Sequence, residues 1–535
     1  MKKTVFLFII AALFTLSASA KDWQRPTVAE KSNFAETSLY ADVMDFIHDA
    51  EKRSPAIHVG ELAQSSEGRS IPLVVVSKEG VRTPRQMALY RKQSVLILAN
   101  IHAGEIEGKE ACLMLLRDVV NKKLDHILDK HVLLLVPIFN ADGNDKLGKN
   151  RGDNGPELAG TRANGQNLDL NRDYLKLESP EINGLVRLFN RWDPVLFVDM
   201  HTTNGSYHRE PVTYTTLINP NSHQKLHDYM WDNLFPAVQA SLKKDYGYDS
   251  IPYGNFKDRA NPEKGWRNHA FAALYGNNYA GLRNRFTILD ENYSHADFKT
   301  RVLSSYGFIR SIIKYTGLHI EEMSRMVQQA DLETMDSFHN GQFVIDFEVD
   351  KLFDFVIKSY QFKKERVKEE DRHKYPPWIK DFIVKKTEKL KDYKVDYYSK
   401  PVAKTTISLP EAYIILPAFK NAADNLKMHG IVVDPITKEY SAEVEKFIMS
   451  EVSVSKRLFQ GHAMVTVKGQ YKTETITIPK GAYLVSMKQP LARLIPELLE
   501  PMAPYGLLKW GFFNRVLVRQ WSNRPDLYPV VRLKK

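Results

Sequence analysis

The run SVLILANIHAGEIEGKEACLMLLRDVV, residues 94–120, decides how the first half of the chain is read. Val95 to Ala99 is an unbroken apolar stretch, the pattern of a strand buried on both faces in the parallel sheet of an α/β protein. It stops at Asn100, and from Ala111 onward Leu113, Leu115, Leu116 and Val119 recur at helical spacing. His102 and Glu105 therefore fall where a strand hands over to a helix. That is the C-terminal edge of a sheet, where α/β proteins place their ligands.

An imidazole and a carboxylate three residues apart on a turn can aim at one point, and zinc accepts that pair together with one or two further protein ligands. The spacing alone is common by chance. A second buried-strand pattern, Val195 to Met200, ends in His201 and supplies the third ligand. Two strands ending in metal-ligand residues predict one zinc site, built from His102, Glu105 and His201.

These residues, with Asn171 and Arg172 inside NLDLNRDY and Glu291 at the end of RFTILDEN, resemble the zinc metallocarboxypeptidase family, of which carboxypeptidase A is the familiar member. The likeness runs from about Ser65, where SSEGRSIPLVVVS resembles the first strand pair of that fold, to about Gly317. It implies a mixed, largely parallel sheet flanked by helices, one zinc ion per chain, and a peptide substrate with a free C-terminus. It also implies roles: Glu291 as general base, and Asn171 with Arg172 as the pair that holds the terminal carboxylate. A second cation should polarise the scissile carbonyl. Arg151 in LGKNR and Arg162, ten residues before Arg172, both resemble family contexts, with Arg162 preferred.

The residues themselves leave some assignments open. Asp290 adjoins Glu291, and on a strand the two point to opposite faces, so only one can serve as base. Tyr275 and Tyr279 both stand closer to Glu291 than the family's mobile tyrosine does. Arg283 and Arg285 precede Glu291 and could recognise an acidic group; His208, His269 and His295 read as ordinary polar residues.

Around this centre, residues 1–20 have two lysines, an apolar core and then SASA, the layout of a secretory signal peptide. The expected mature chain is exported, periplasmic or secreted, with no membrane span, because the apolar core falls short of the ~20 residues a span requires. Cys112 is the single cysteine, so no intrachain disulfide can form, and its apolar helical neighbours predict a buried thiol. Net charge is +11, and removing Lys2 and Lys3 leaves 11 − 2 = +9, a weak bias toward anionic cell-envelope polymer. No signature of nucleic-acid binding occurs.

Strands and helices alternate to about Gly317, which means α/β. The catalytic domain is expected over 21–327 and a β-rich accessory domain, a sandwich, over 328–535, with Glu321 to Asp336 as a polar exit and a Lys-rich connector at its start. From Lys358 to Lys404 there are 15 Lys and Arg against 8 Asp and Glu, 15 − 8 = +7. Two other readings fit the same residues: a zinc amidohydrolase of this fold acting on cell-wall peptides or acyl-amino acids, and a non-catalytic zinc- or peptide-binding protein.

Overall fold

In the computed structural model, which describes residues 22–150, 154–374, 381–517 and 527–534, the strand patterns of the first half assemble into one eight-stranded sheet. The expected signal segment and Arg151 lie outside the described residues. The strands are β1 (Ile57–Gln64), β2 (Ser70–Val76), β3 (Gln93–Ala99), β4 (His131–Val136), β5 (Leu196–Thr203), β6 (Val212–Thr215), β7 (Ser250–Pro252) and β8 (Phe286–Tyr293). Their order is β1-β2-β4-β3-β5-β8-β6-β7. The central run β4-β3-β5-β8 is parallel, and β1, β2 and β6 join antiparallel, giving a mixed sheet.

Strand periodicity splits the core into two layers. Val95, Ile97 and Ala99 face one side with Leu133, Leu135, Val198 and Ile288, under helices α1 (Glu107–Val120) and α3 (Phe298–Ser337). Leu96 and Leu98 face the other side with Leu134, Val136 and Phe197. Helix α2 (Pro180–Trp192) covers part of that second face through Ile182, Leu185 and Phe189. Tyr413, Ile415, Leu426, Phe447 and Leu494, all from the β-rich half, belong to the same core. The second half thus packs into the layer that α2 leaves uncovered. Cys112 is buried in the first layer, and burial pushes its thiol up to about 12.

Three expectations about the second half are corrected. Glu321 to Asp336 is no exit: α3 runs 40 residues and passes straight through positions 327 and 328. Its later turns are polar on the outside but keep an apolar stripe of Met323, Val327 and Ala330 against the first-face core. The Lys-rich stretch is no connector either. Most of it lies in a long antiparallel ribbon, β9 (Gln342–Arg366) with β10 (Phe382–Ser408). Its charges pair along and across the ribbon, as in Lys385–Glu365 at 2.6 Å and Lys351–Asp396 at 2.6 Å, and its middle joins the catalytic half where Trp266–Arg267 pairs in parallel with Tyr397 and Tyr398. In place of a sandwich, β11 (Ala412–Ile415), β12 (Tyr440–Phe459), β13 (His462–Ile478), β14 (Tyr483–Ser486) and β15 (Leu527–Leu533) form one sheet. Its order is β14-β11-β15-β12-β13, with the short Asp434–Pro435 strand beside β14. A helix, Lys420–Met428, precedes Gly430, which takes the left-handed φ of +88°.

Polar links join the halves as well. The Tyr279 hydroxyl lies 2.9 Å from His429 Nδ1, and Arg283 donates to the His429 carbonyl at 2.8 Å and to Asn190 Oδ1 at 2.8 Å. Arg285 is held by Asp193 and Asp331. Both arginines therefore sit at the buried start of β8, engaged in structure, and neither is available to read an acidic group.

His131 opens β4 fully buried, with no hydrogen-bond partner for either ring nitrogen among the described residues, and burial pulls its pKa down to about 4. In the unfolded chain it should titrate near 6.5. The neutral form is favoured by folding, so this contribution is complete above pH ~6.5 and lost as pH falls toward 4, at about 1.4 kcal/mol per unit. Urea unfolding of His131→Leu should therefore show the variant gaining on the wild type by about that amount per pH unit between 6.5 and 4.5. A difference independent of pH would mean that His131 is hydrated.

Candidate metal and substrate site

The turn that carries the first two ligands is shaped by Asn100, which adopts a left-handed φ of +65° and donates through Nδ2 to the carbonyls of Ala103 and Glu105, both at 3.2 Å. At Gly104 a Cβ would come within 2.7 Å of the Gly160 carbonyl oxygen, so the turn packs against a second loop that tolerates no side chain there. His102 and Glu105 are brought to one point by this turn, and His201 by the end of β5. The Nδ1 atoms of the two histidines are 3.1 Å apart; His201 Nδ1 is 2.9 Å from Glu105 Oε2, and His102 Nδ1 is 3.1 Å from Glu105 Oε1. All three residues are buried, and one ligand atom from each lies within 4.8 Å of the others.

Both imidazoles are held from behind. His102 Nε2 is 2.9 Å from Asp169 Oδ1, and His201 Nε2 is 3.1 Å from Asp199 Oδ2. Carboxylates in that position fix the tautomer that offers Nδ1 as a lone pair, the usual support of a zinc-ligating histidine. Asp199 precedes His201 by two residues and so shares its face of the strand. Burial lowers the His201 pKa, but Asp199 and Glu105 outweigh it and hold the ring well above its ordinary value. For Asp169 burial acts upward and is overcome by His102, Arg172 and Arg162, which hold the carboxyl well below the usual range. Two nearly buried imidazoles and a carboxylate converging with their backs occupied form a donor set that fits zinc, with room for a further ligand on the open side.

Glu291 stands directly opposite His201 in the parallel register of β5 and β8. Matched residues of adjacent parallel strands point to the same face, so Glu291 lines the same cleft as the three ligands. Asp290 pairs with Met200 and points to the other side, where it is fully buried and burial pushes its carboxyl well up, with the Glu291 charge adding to the effect. Strand alternation thus puts only Glu291 at the metal cleft.

Asn171 and Arg172 lie in a single 3₁₀ turn, Leu170–Arg172, capped by the Asp169 side chain, which accepts from the Asn171 N–H at 3.0 Å. Asn171 Oδ1 accepts from the Gly276 N–H at 3.0 Å, and the Arg172 guanidinium lies 4.5 Å over the Tyr275 ring. Arg162 also reaches the cleft, donating from Nε to Asp169 Oδ2 at 2.8 Å and from Nη1 to Glu105 Oε1 at 3.3 Å. The structure thus brings His102, Glu105, His201, Glu291, Asn171, Arg172 and Arg162 to one cleft. Of the two tyrosines, Tyr275 lines the cleft and Tyr279 is buried against His429. His269 lines the cleft too, contrary to its reading as an ordinary polar residue; burial and the nearby Arg267 lower its pKa. His208 stacks on Tyr293 at 3.9 Å, and His295 packs at a tilt against Tyr207 at 4.7 Å.

The arrangement is a cleft in which a guanidinium stands beside three residues that could hold a metal ion. Residues 43–261 match the family model of zinc carboxypeptidases, Peptidase_M14, a span that holds the three ligands, Arg162, Asn171 and Arg172 and ends before Glu291. A carboxypeptidase 2 of Trichophyton rubrum is 24% identical over 497 residues, covering 88% of this chain and 82% of that protein. One of Trichophyton equinum is 22% identical over 495 residues with the same two shares. Coverage of that extent reaches well into the β-rich half, beyond the Gly317 limit of the motif likeness. A metallo-carboxypeptidase from Burkholderia cenocepacia aligns with a TM-score of 0.39 and 16% identity, over 54% of this chain and 70% of that one. Residues 43–261 thus carry a zinc carboxypeptidase domain, which makes the chain a metallopeptidase.

If the three residues are the ligands, the purified protein should take up one equivalent of zinc and His201→Ala almost none, by metal analysis after dialysis. Asp199→Asn, which keeps the ligand but alters its support, should bind about 10–100-fold more weakly. Full occupancy in His201→Ala would remove the assignment.

Proposed function

We propose that the protein is an exported zinc carboxypeptidase that releases C-terminal residues from peptides. The observation that carries this reading is the register pairing of Glu291 with His201, on the same cleft as a guanidinium, Arg172, that stands ready for an anion. His102, Glu105 and His201 would hold a zinc ion, which would supply the Lewis acidity that makes water a competent nucleophile near neutral pH. Glu291 then takes the proton of the attacking water on its carboxylate and returns it to the nitrogen of the leaving amine. Arg162, fixed in place by Asp169 and Glu105, turns its remaining N–H groups toward the charge that develops on the carbonyl oxygen.

Recognition of the chain end falls to Arg172 and Asn171. A planar guanidinium can grip both oxygens of a carboxylate, and stacking on Tyr275 holds it oriented for that contact. A terminal carboxylate satisfies the arginine, whereas an internal amide leaves it desolvated and poorly paired. The signal-like composition of residues 1–20 supports export. Among the described residues no helix is long and apolar enough to cross a membrane.

Two measurements test the roles. Glu291→Gln should retain zinc and peptide binding while kcat falls by about 10²–10⁴, the usual worth of acid–base assistance; undiminished turnover would take the role from Glu291. Amidating the C-terminus of a good substrate should lower kcat/KM by roughly 10²–10³, the equivalent of about 3–5 kcal/mol for stranding one partner of a buried charge pair. Arg172→Ala should lose activity on the free acid and most of that discrimination. Equal cleavage of acid and amide by the wild type would leave a zinc hydrolase of another substrate class.

A further inference from the structure

The β12–β13 hairpin of the β-rich half ends on the active-site turn. Phe459 pairs with His462 across a two-residue loop, Gln460-Gly461, and both loop residues have positive φ, +51° and +80°. That is the signature of a type I′ turn, whose first position favours Asn, Asp or Gly. Glutamine there is a strained choice, since a longer side chain gains nothing from the left-handed region. Such strain at one residue points to a task for its side chain.

The task is visible in the contacts. Gln460 Oε1 accepts a hydrogen bond from the Asp169 backbone N–H at 2.7 Å, across 291 residues of sequence. The tip is seated by its neighbours: His462 Nε2 lies 2.7 Å from Glu178 Oε1, and Phe459 stacks on Trp510 at 6.0 Å. Asp169 is the junction of the whole site. Its Oδ1 backs His102 and caps the turn that carries Asn171 and Arg172, and its Oδ2 receives Arg162. With its side chain committed on both oxygens and its carbonyl accepting from the Arg172 N–H at 3.0 Å, its backbone N–H is what remains to be anchored, and the anchor comes from the other half of the molecule.

We propose that Gln460 is a positioning residue of the active site, holding Asp169 so that His102, Arg162 and the Asn171–Arg172 turn keep their mutual geometry. The proposal rests on the carboxypeptidase reading above. It makes the β-rich half a working part of the cleft and explains why an unfavoured residue occupies the tip of a long hairpin.

Gln460→Asn separates this role from a merely structural one, because it gives the turn its preferred Asn-Gly pair while withdrawing the acceptor by one methylene. Its urea midpoint should equal or exceed that of the wild type. At the same time its zinc dissociation constant, measured by chelator competition, should rise about 3–10-fold, below the 10–100-fold of a direct ligand support, and kcat/KM should fall about tenfold. Gln460→Met, of similar length but with only a weak thioether acceptor, should show the same losses. A purely structural role predicts the opposite for the Asn variant: better folding with unchanged zinc affinity and turnover, a result that would overturn the proposal. Wild-type zinc affinity in the Met variant would do the same. A wild type that takes up no zinc would instead sink the carboxypeptidase reading, and this proposal with it.

Discussion

Two imidazole nitrogens and a carboxylate, nearly shut off from water, are aimed at a common point. Lone pairs converging at about 3 Å repel one another unless a proton or a metal cation lies between them, and burial removes the water that would otherwise screen the repulsion. Holding them there requires rigid supports on every side, and much of the catalytic half can be read as those supports. The left-handed Asn100 sets the turn, the absent side chain of Gly104 lets a second loop close on it, and Asp169 and Asp199 fix the rings from behind.

The sheet provides the alignment that the turn alone cannot. Strands β3, β5 and β8 run parallel and end at one edge, so a ligand turn, a ligand and a candidate base arrive together from segments nearly 200 residues apart. Register then chooses between neighbours. A slip of one residue between β5 and β8 would bring Asp290 to the cleft and bury Glu291, because side chains alternate with a period of exactly two along a strand. The apolar layers on both faces penalise such a slip, since it would turn the buried sets of the strand inside out.

Those layers also account for the β-rich half. Helices α1 and α3 cover one face of the sheet, and α2 alone cannot cover the other, so residues such as Tyr413, Phe447 and Leu494 complete that core. Burial at roughly 25 cal/mol per Å² makes a shared layer of this kind a substantial part of the stability of both halves. The same packing brings the middle of the β9–β10 ribbon against Trp266 and Arg267, just before the cleft residue His269, and the β12–β13 tip against Asp169. Structure and site are therefore joined through the second half twice.

The amino-acid order by itself determined the α/β class, the main strands of the sheet, and the positions of His102, Glu105, His201 and Glu291 at strand ends, because buried strands announce themselves as local apolar runs and a strand's end is a local event. It also marked Asn171 and Arg172 through a contiguous string. Asp199 was legible in principle, two residues from His201 on the same face. What only the tertiary structure decided depends on contacts between distant segments: the spending of Arg283 and Arg285 on structure, the role of Asp169 as a junction, and the entry of His269 into the cleft. The continuation of α3 past residue 327 and the ribbon in place of a charged connector belong there too, since their polar faces hide a partner surface that exists only once the sheet has formed. Gln460 is the extreme case. Nothing near it in the chain involves a metal site, and its position follows from a shared apolar core that seats one half of the molecule against the other.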